Sequence, residues 1–287
     1  MNQLAAPSAR KDSAVLVLHD LFGNPEQMAS LCSALERAGF AVHCPYMRAF
    51  GMRAAEPYSV DSYGSWISRV LVEFDKLSQR YGNLSLAGLG VGANLALRVA
   101  AERNRQVRAV VAMSCALDLD GWNTPKRWKL MRLLMRTPLR HTLRARLAAP
   151  MGVKSPLLRG DHLARGWPPA RLDEDCADLP LDGLYQMQRC TRSLLRALPR
   201  VKAPVLVLHA REDDLCSLRN AEQVLAAVPH GLAQLTVFDD SYHFLTQDAE
   251  SAEVARHAVS FLSESCRPPP IDEAATMPTP QVAADQL

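Results

Sequence analysis

The chain has 287 residues, of which 48% are hydrophobic and 22% charged, enough to bury the core of one large α/β domain or two small ones. No apolar run approaches the roughly 18 residues that cross a bilayer. The N-terminal stretch lacks the basic-then-apolar layout of a secretion signal, so a cytoplasmic protein is expected, at most peripheral to a membrane.

The net charge of +3 is unevenly spread. Trp122–Arg171 holds twelve Lys or Arg against one acid, Asp161, giving that stretch +11 and the remainder −8. Such asymmetry speaks of partners rather than of fold. The seven cysteines are odd in number and none forms a CxxC pair, which fits reduced, mostly buried thiols. No metal site and no cofactor are expected.

In chain order, Ala14–His19 (AVLVLH) reads as a buried strand and Glu26–Ala38 as an amphipathic helix stopped by Gly39. Phe40–Cys44 is the second strand. Ser59–Tyr81 is a long helix with Tyr63, Ile67, Val70, Leu71 and Phe74 on one side. Leu84–Leu89 is the third strand, and it runs through Gly88-Leu89-Gly90-Val91-Gly92 into a helix. Val107–Met113, Pro204–His209 and Gln234–Phe238 complete the strands, with helices over Leu218–Val228 and Glu250–Leu262. Apolar strands alternating with helices predict a parallel sheet covered on both faces.

From about Leu117 to Arg200 the alternation breaks down. This Arg-, Pro-, Leu- and Met-rich stretch contains amphipathic helices at Lys126–Met135 and Gly183–Leu198, and reads as a helical cap inserted over the sheet. The organisation expected is a core over residues 1–116 and 201–266, a cap over 117–200, and a disordered, proline-rich tail over 267–287.

Three segments carry chemistry. Strand, tight glycine turn and helix form the setting of the nucleophile elbow, G-x-S-x-G, but the middle residue here is Gly90. VLVLHAREDDLCS is a strand ending in an acidic loop with Asp213 and Asp214. TVFDDSYHFLTQD is a strand ending in a loop with His243. A triad built on this scaffold runs nucleophile, acid, histidine at the ends of successive strands.

On these segments the sequence resembles the α/β-hydrolase superfamily, in its branch of bacterial carboxylesterases and monoacylglycerol lipases. The resemblance runs from about Ala14 to Ser263 and is most specific over Val205–Ala221 and Asp239–Asp248. It implies an α/β-hydrolase fold with a cap, Asp213 as the acid and His243 as the base, with Asp214 matching less well. It also places the nucleophile on Gly90 and the oxyanion-binding amides on Leu21 and Val91.

This sequence departs from the family pattern around the reaction centre. Gly90 replaces the serine, His19-Asp20 replaces the family's H-G, Ala49-Phe50-Gly51 replaces its G-H-G, and Ala93 replaces a second glycine after the elbow. Gly90 offers no atom to attack a carbonyl. Asp20 sets a carboxylate beside the oxyanion amides, where like charge opposes a developing oxyanion. A displaced nucleophile at Ser114 or Cys115, ending the fourth strand, is the remaining route. Cys44 and Cys216 read as core thiols.

The expectation is a non-hydrolytic pseudoenzyme or binder of an acyl or hydrophobic ligand or of a partner, with a cavity between His243 and Gly90. The alternative is an active enzyme using the His243–Asp213 pair as general base, or a displaced nucleophile. The basic cap, including Arg132, Arg136 and Arg140, is expected to face an anionic membrane surface or an acidic carrier protein. Nucleic acid is not expected, since there is no basic recognition motif.

Overall fold

A computed structural model describes residues 12–51, 60–124, 127–159 and 176–266. The proline-rich tail expected after residue 266 lies outside them. Six parallel strands form the sheet: β1 (Ser13–Leu18), β2 (Ala41–His43), β3 (Asn83–Leu89), β4 (Val107–Met113), β7 (Val205–Ala210) and β8 (Ala233–Phe238), in the order β2-β1-β3-β4-β7-β8. Every residue of β1 and β7 is buried. Their unbroken apolar runs therefore have a physical cause, because a central parallel strand has no wet face.

The helices are α1 (Ala29–Arg37), α2 (Tyr63–Ser78), α3 (Val91–Glu102), α4 (Trp128–Leu134), α5 (Leu181–Ala197), α6 (Arg219–Ala227) and α7 (Ser251–Ser265). The Ser62 side chain caps α2 by accepting a hydrogen bond from Ser65 N, and α2 buries Tyr63, Trp66, Val70, Phe74 and Leu77 at helical spacing. Ile67 and Leu71 sit at the margin of that face, and Trp66 takes the central place. α1 packs against α7, while α2, α3 and α5 pack on one another.

Between β4 and β7 lie α4, a 3-10 turn (Pro138–His141), an antiparallel pair β5 (Arg144–Ala148) and β6 (Cys176–Pro180), and α5. The β5–β6 pair was not foreseen. Its strands have five residues each, too short for alternation to stand out. α5 is keyed to the layer beneath it. Gln186 Oε1 accepts from Tyr63 N at 3.0 Å, and Tyr63 Oη and Arg98 Nε both donate to Ser193 Oγ, at 2.8 and 3.2 Å.

In-register parallel pairing brings the C-terminal ends of five strands to one edge. Gly88 lies opposite Ala112, Met113 opposite Leu208, and Ala210 opposite Phe238. The loops leaving β1, β3, β4, β7 and β8 therefore converge there, with the strand order reversing direction around β1 and β3.

Candidate active site

The turn after β3 is fixed by backbone geometry. Gly90 has φ +56° and ψ −118°, its N–H donates to Met113 O at 2.9 Å, and its carbonyl accepts from Asn94 N at 3.2 Å. A positive φ of this kind is strained for any residue with a side chain. The outer glycines answer to space instead. A Cβ on Gly88 would lie 2.4 Å from the Gly92 carbonyl group, and one on Gly92 would lie 2.4 Å from the carbonyl oxygens of Leu18 and His19.

The loop after β7 presents Asp213. Its Oδ1 accepts from Leu215 N at 2.9 Å and Cys216 N at 2.8 Å, and its Oδ2 accepts from His243 Nδ1 at 2.8 Å. Both side chains are buried. Burial alone would push the Asp213 carboxyl up, but the adjacent His243 holds it below the usual range. Burial likewise opposes an imidazolium, yet the charge of Asp213 and the contact with Asp20 carry His243 well above its ordinary value.

Asp248, at the end of the segment that carries His243, holds the histidine loop. Its buried carboxylate accepts from Tyr242 N at 2.9 Å and from Lys154 N at 2.6 Å through Oδ2, and from Ser155 N at 3.2 Å through Oδ1. It thereby ties the residues beside His243 to the segment that follows β5.

The expected cavity between His243 and Gly90 gives way to a side chain. Asp20 Oδ1 accepts from Leu21 N at 2.7 Å and Val91 N at 2.6 Å, while Oδ2 lies 3.4 Å from His243 Nε2. The two amides assigned to an oxyanion are thus occupied by a carboxylate oxygen of the protein itself. A Cβ built on Gly90 would stand 2.0 Å from Asp20 Oδ1. Asp20 fills the space a nucleophile's side chain would need.

His19 holds Asp20 in place. Its Nε2 accepts from Met47 N at 3.0 Å, so Nδ1 carries the proton and donates to Asp20 O at 2.8 Å. Burial lowers His19 to about 4, which keeps it neutral. Gln27 Oε1 accepts from Asp20 N at 3.1 Å. Phe22, at φ +61°, donates its N–H to Phe50 O at 2.8 Å, so Ala49-Phe50-Gly51 braces this loop.

The displaced nucleophiles are poorly suited to attack. Ser114 is buried at φ +45°, and its Oγ has no hydrogen-bond partner among the described residues. Burial pushes the thiols of Cys115 and Cys216 up to about 12, so both stay protonated at neutral pH. Asp214 accepts instead from Gly152 N at 2.9 Å. Burial, then the charge of Asp213, raises it to about 6. Among the described residues, no group of His, Cys, Asp and Glu is arranged to hold a metal ion.

Leu119, Trp128, Leu147, Leu179, Leu184 and, from the loop after β7, Leu215 line a small apolar cleft of about 30 Å³. Trp128 points inward there.

Residues 9–250 match the family model Hydrolase_4, described as "Serine aminopeptidase, S33". The chain belongs to this family. It is 20% identical over 263 residues to the thermostable monoacylglycerol lipase of Bacillus sp. (strain H-257), covering 87% of this chain and 90% of that one. It is 21% identical over 257 residues to a carboxylesterase of Bacillus subtilis (strain 168), covering 88% and 93%.

Among solved structures it resembles one from a study of the metagenome-derived lipolytic enzymes LipS and LipT, with TM-score 0.70, 21% identity and coverage of 89% and 95%. It also resembles a soluble variant of the Saccharomyces cerevisiae monoglyceride lipase, with TM-score 0.69, 13% identity and coverage of 89% and 87%. The Hydrolase_4 chain described here therefore has the α/β-hydrolase fold of lipase- and esterase-type proteins. No helix among its described residues is long and apolar enough to cross a membrane.

Proposed function

We propose that this chain is a non-hydrolytic member of its family, which keeps the fold and the apolar cleft and binds an acyl or other hydrophobic ligand, or a partner, without cleaving it. One observation carries the reading: the Asp20 carboxylate sits on the Leu21 and Val91 amides and in the space above Gly90. Ester cleavage by the family route needs an attacking side chain and two free amides to receive the oxyanion. Here one group takes both places, and the His243 imidazolium holds it there.

The retained His243–Asp213 bond favours a second reading, in which the pair handles protons on a bound substrate. Two flanking carboxylates shift His243 toward its protonated form, which favours service as an acid over service as a base. We also propose a cytoplasmic location, in keeping with free thiols at Cys32, Cys44, Cys115, Cys190 and Cys216.

The test is hydrolysis of p-nitrophenyl butyrate together with labelling by a fluorophosphonate probe. Wild-type protein should do no better than His243→Ala and should take no label, while native mass spectrometry should find hydrophobic molecules carried through purification. Robust esterase activity abolished by His243→Ala overturns the reading.

A further inference from the structure

The inserted segment presents two faces, and only one is used internally. α4 buries Trp128 and the adjoining Met135 against the core, with Met131 and Leu134 partly buried beside them. On its other side Leu130 is 53% exposed and Leu133 61%, and Leu139 in the following 3-10 turn is 53% exposed. Three leucines within ten residues face solvent with no packing role. Trp122 is also exposed, but its Nε1 donates to Glu212 O, so it is engaged elsewhere.

The charges around these leucines fall into two sets. Arg132 pairs with Asp118 at 2.9 Å, Arg140 with Asp182 at 2.9 Å and Arg146 with Asp178 at 3.3 Å. Those carboxylates are the acidic groups that neighbouring elements turn toward this face, and each is engaged. Arg127, Lys129, Arg136 and Arg144 are exposed and have no carboxylate partner among the described residues. The face therefore combines outward leucines with four uncompensated cations.

We propose that this face docks on an anionic lipid surface, with Leu130, Leu133 and Leu139 entering the headgroup boundary and Arg127, Lys129, Arg136 and Arg144 on lipid phosphates. Leucines flanked by Lys and Arg suit a bilayer interface, where apolar tips enter the acyl boundary and long cationic stems reach back to the headgroups. An acidic protein partner fits less well, because protein interfaces favour aromatic anchors and leucine is under-represented among their hot spots. The buried Trp128 and Met135 hold α4 against the core, so the leucines are presented without unfolding the segment.

The experiment is co-sedimentation of the full chain with phosphatidylcholine vesicles, with and without phosphatidylglycerol, at low and high salt. Wild type should bind the anionic vesicles at low salt, lose them at high salt, and bind pure phosphatidylcholine far more weakly. Replacing Arg127, Lys129, Arg136 and Arg144 together with Ser should lower partitioning by ~100-fold or more, at about fivefold per cation. Replacing Leu130, Leu133 and Leu139 with Ser should also weaken binding, with the thermal midpoint unchanged because all three are exposed.

The proposal is overturned if wild type fails to bind at low salt, if charge makes no difference, or if the leucine variant binds as well as wild type. Binding to an acidic carrier protein in preference to anionic vesicles overturns it as well. None of these outcomes depends on whether the centre at Asp20 is hydrolytic.

Discussion

Asp20 and Gly90 divide one space between them: the carboxylate oxygen of the first lies where the second would carry a side chain, 2.0 Å from the position of a Cβ. Two departures from the family pattern are therefore one structural change. Restoring a serine at position 90 must expel a carboxylate that holds two amide hydrogen bonds and faces an imidazolium.

Gly90→Ser alone should therefore be destabilising and inactive. Positive φ and displacement of Asp20 together should cost more than the roughly 3–5 kcal/mol of breaking the buried charged cluster alone. Adding Asp20→Gly should relieve the clash but also forfeit the acceptor of the Leu21 and Val91 amides, so the double variant should stay below wild type in thermal midpoint. The double variant should hydrolyse p-nitrophenyl butyrate and take up a fluorophosphonate. A single Gly90→Ser variant as stable and as active as the double variant contradicts this coupling.

Asp20→Ala should leave Leu21 N, Val91 N and His243 without their shared acceptor. Removing one member of a buried charged cluster costs about 3–5 kcal/mol. A small carboxylate can replace what was deleted. Acetate or butyrate should therefore raise the melting temperature of Asp20→Ala and leave wild type unaffected, as differential scanning fluorimetry would show. Equal responses in both proteins would mean that the amides are not the site.

His243 sets an alkaline limit. Its folded pKa lies above the ordinary 6.5, so the stability it adds is fully present below about 6.5 and is lost as pH rises through the folded value. The gap in melting temperature between wild type and His243→Gln should be widest near pH 6 and should narrow on the alkaline side. The imidazole NMR signals should remain those of the protonated ring at neutral pH. A ring that deprotonates below its ordinary value removes the ion-pair account.

Asp214 also loses its contribution as pH rises, but in a lower window and through its neutral form. Its pKa is raised from 3.8 to about 6, so its neutral form favours folding and the benefit is lost as pH rises through about 6. Ionised and with Oδ1 unpartnered among the described residues, it should cost on the order of 2–3 kcal/mol at neutral pH. Asp214→Asn keeps an acceptor for Gly152 N and removes the charge. Its advantage in melting temperature should be small at pH 4, grow as pH rises toward 6, and be at its full size by pH 7.

Much of this is legible in the chain, and the remainder is hidden for identifiable reasons. Buried parallel strands cannot conceal themselves, so β4 reads at its full Val107–Met113 extent from VRAVVAM. Loop order gives Asp213 before His243, and the step from His19 to Asp20 shows a carboxylate near the oxyanion amides. That the carboxylate enters the turn at Gly90 depends on one side-chain rotation, set by His19, Gln27 and the Phe22–Phe50 bond. No local pattern encodes that rotation.

The same holds for charge. Arg132 and Arg140 look like part of a free basic face in sequence, but each has a carboxylate partner, Asp118 or Asp182, at 2.9 Å. Periodicity gives the side of a helix and not who stands opposite. The role of Asp248 is not legible because an acid after a histidine loop is common, and two of its four backbone donors, Lys154 and Ser155, lie more than ninety residues away in the chain.

The close packing of Gly88 and Gly92 has a historical consequence. Because neither tolerates a Cβ, the joint between β3 and α3 keeps its shape whether or not anything stands at position 90. A lineage can thus discard its serine first, at little cost to folding, and acquire the acid at position 20 afterwards. The reverse order passes through an ancestor with both groups in one volume. Living relatives should accordingly include chains with glycine at the turn and a small residue at position 20, while chains pairing serine with aspartate there should be missing.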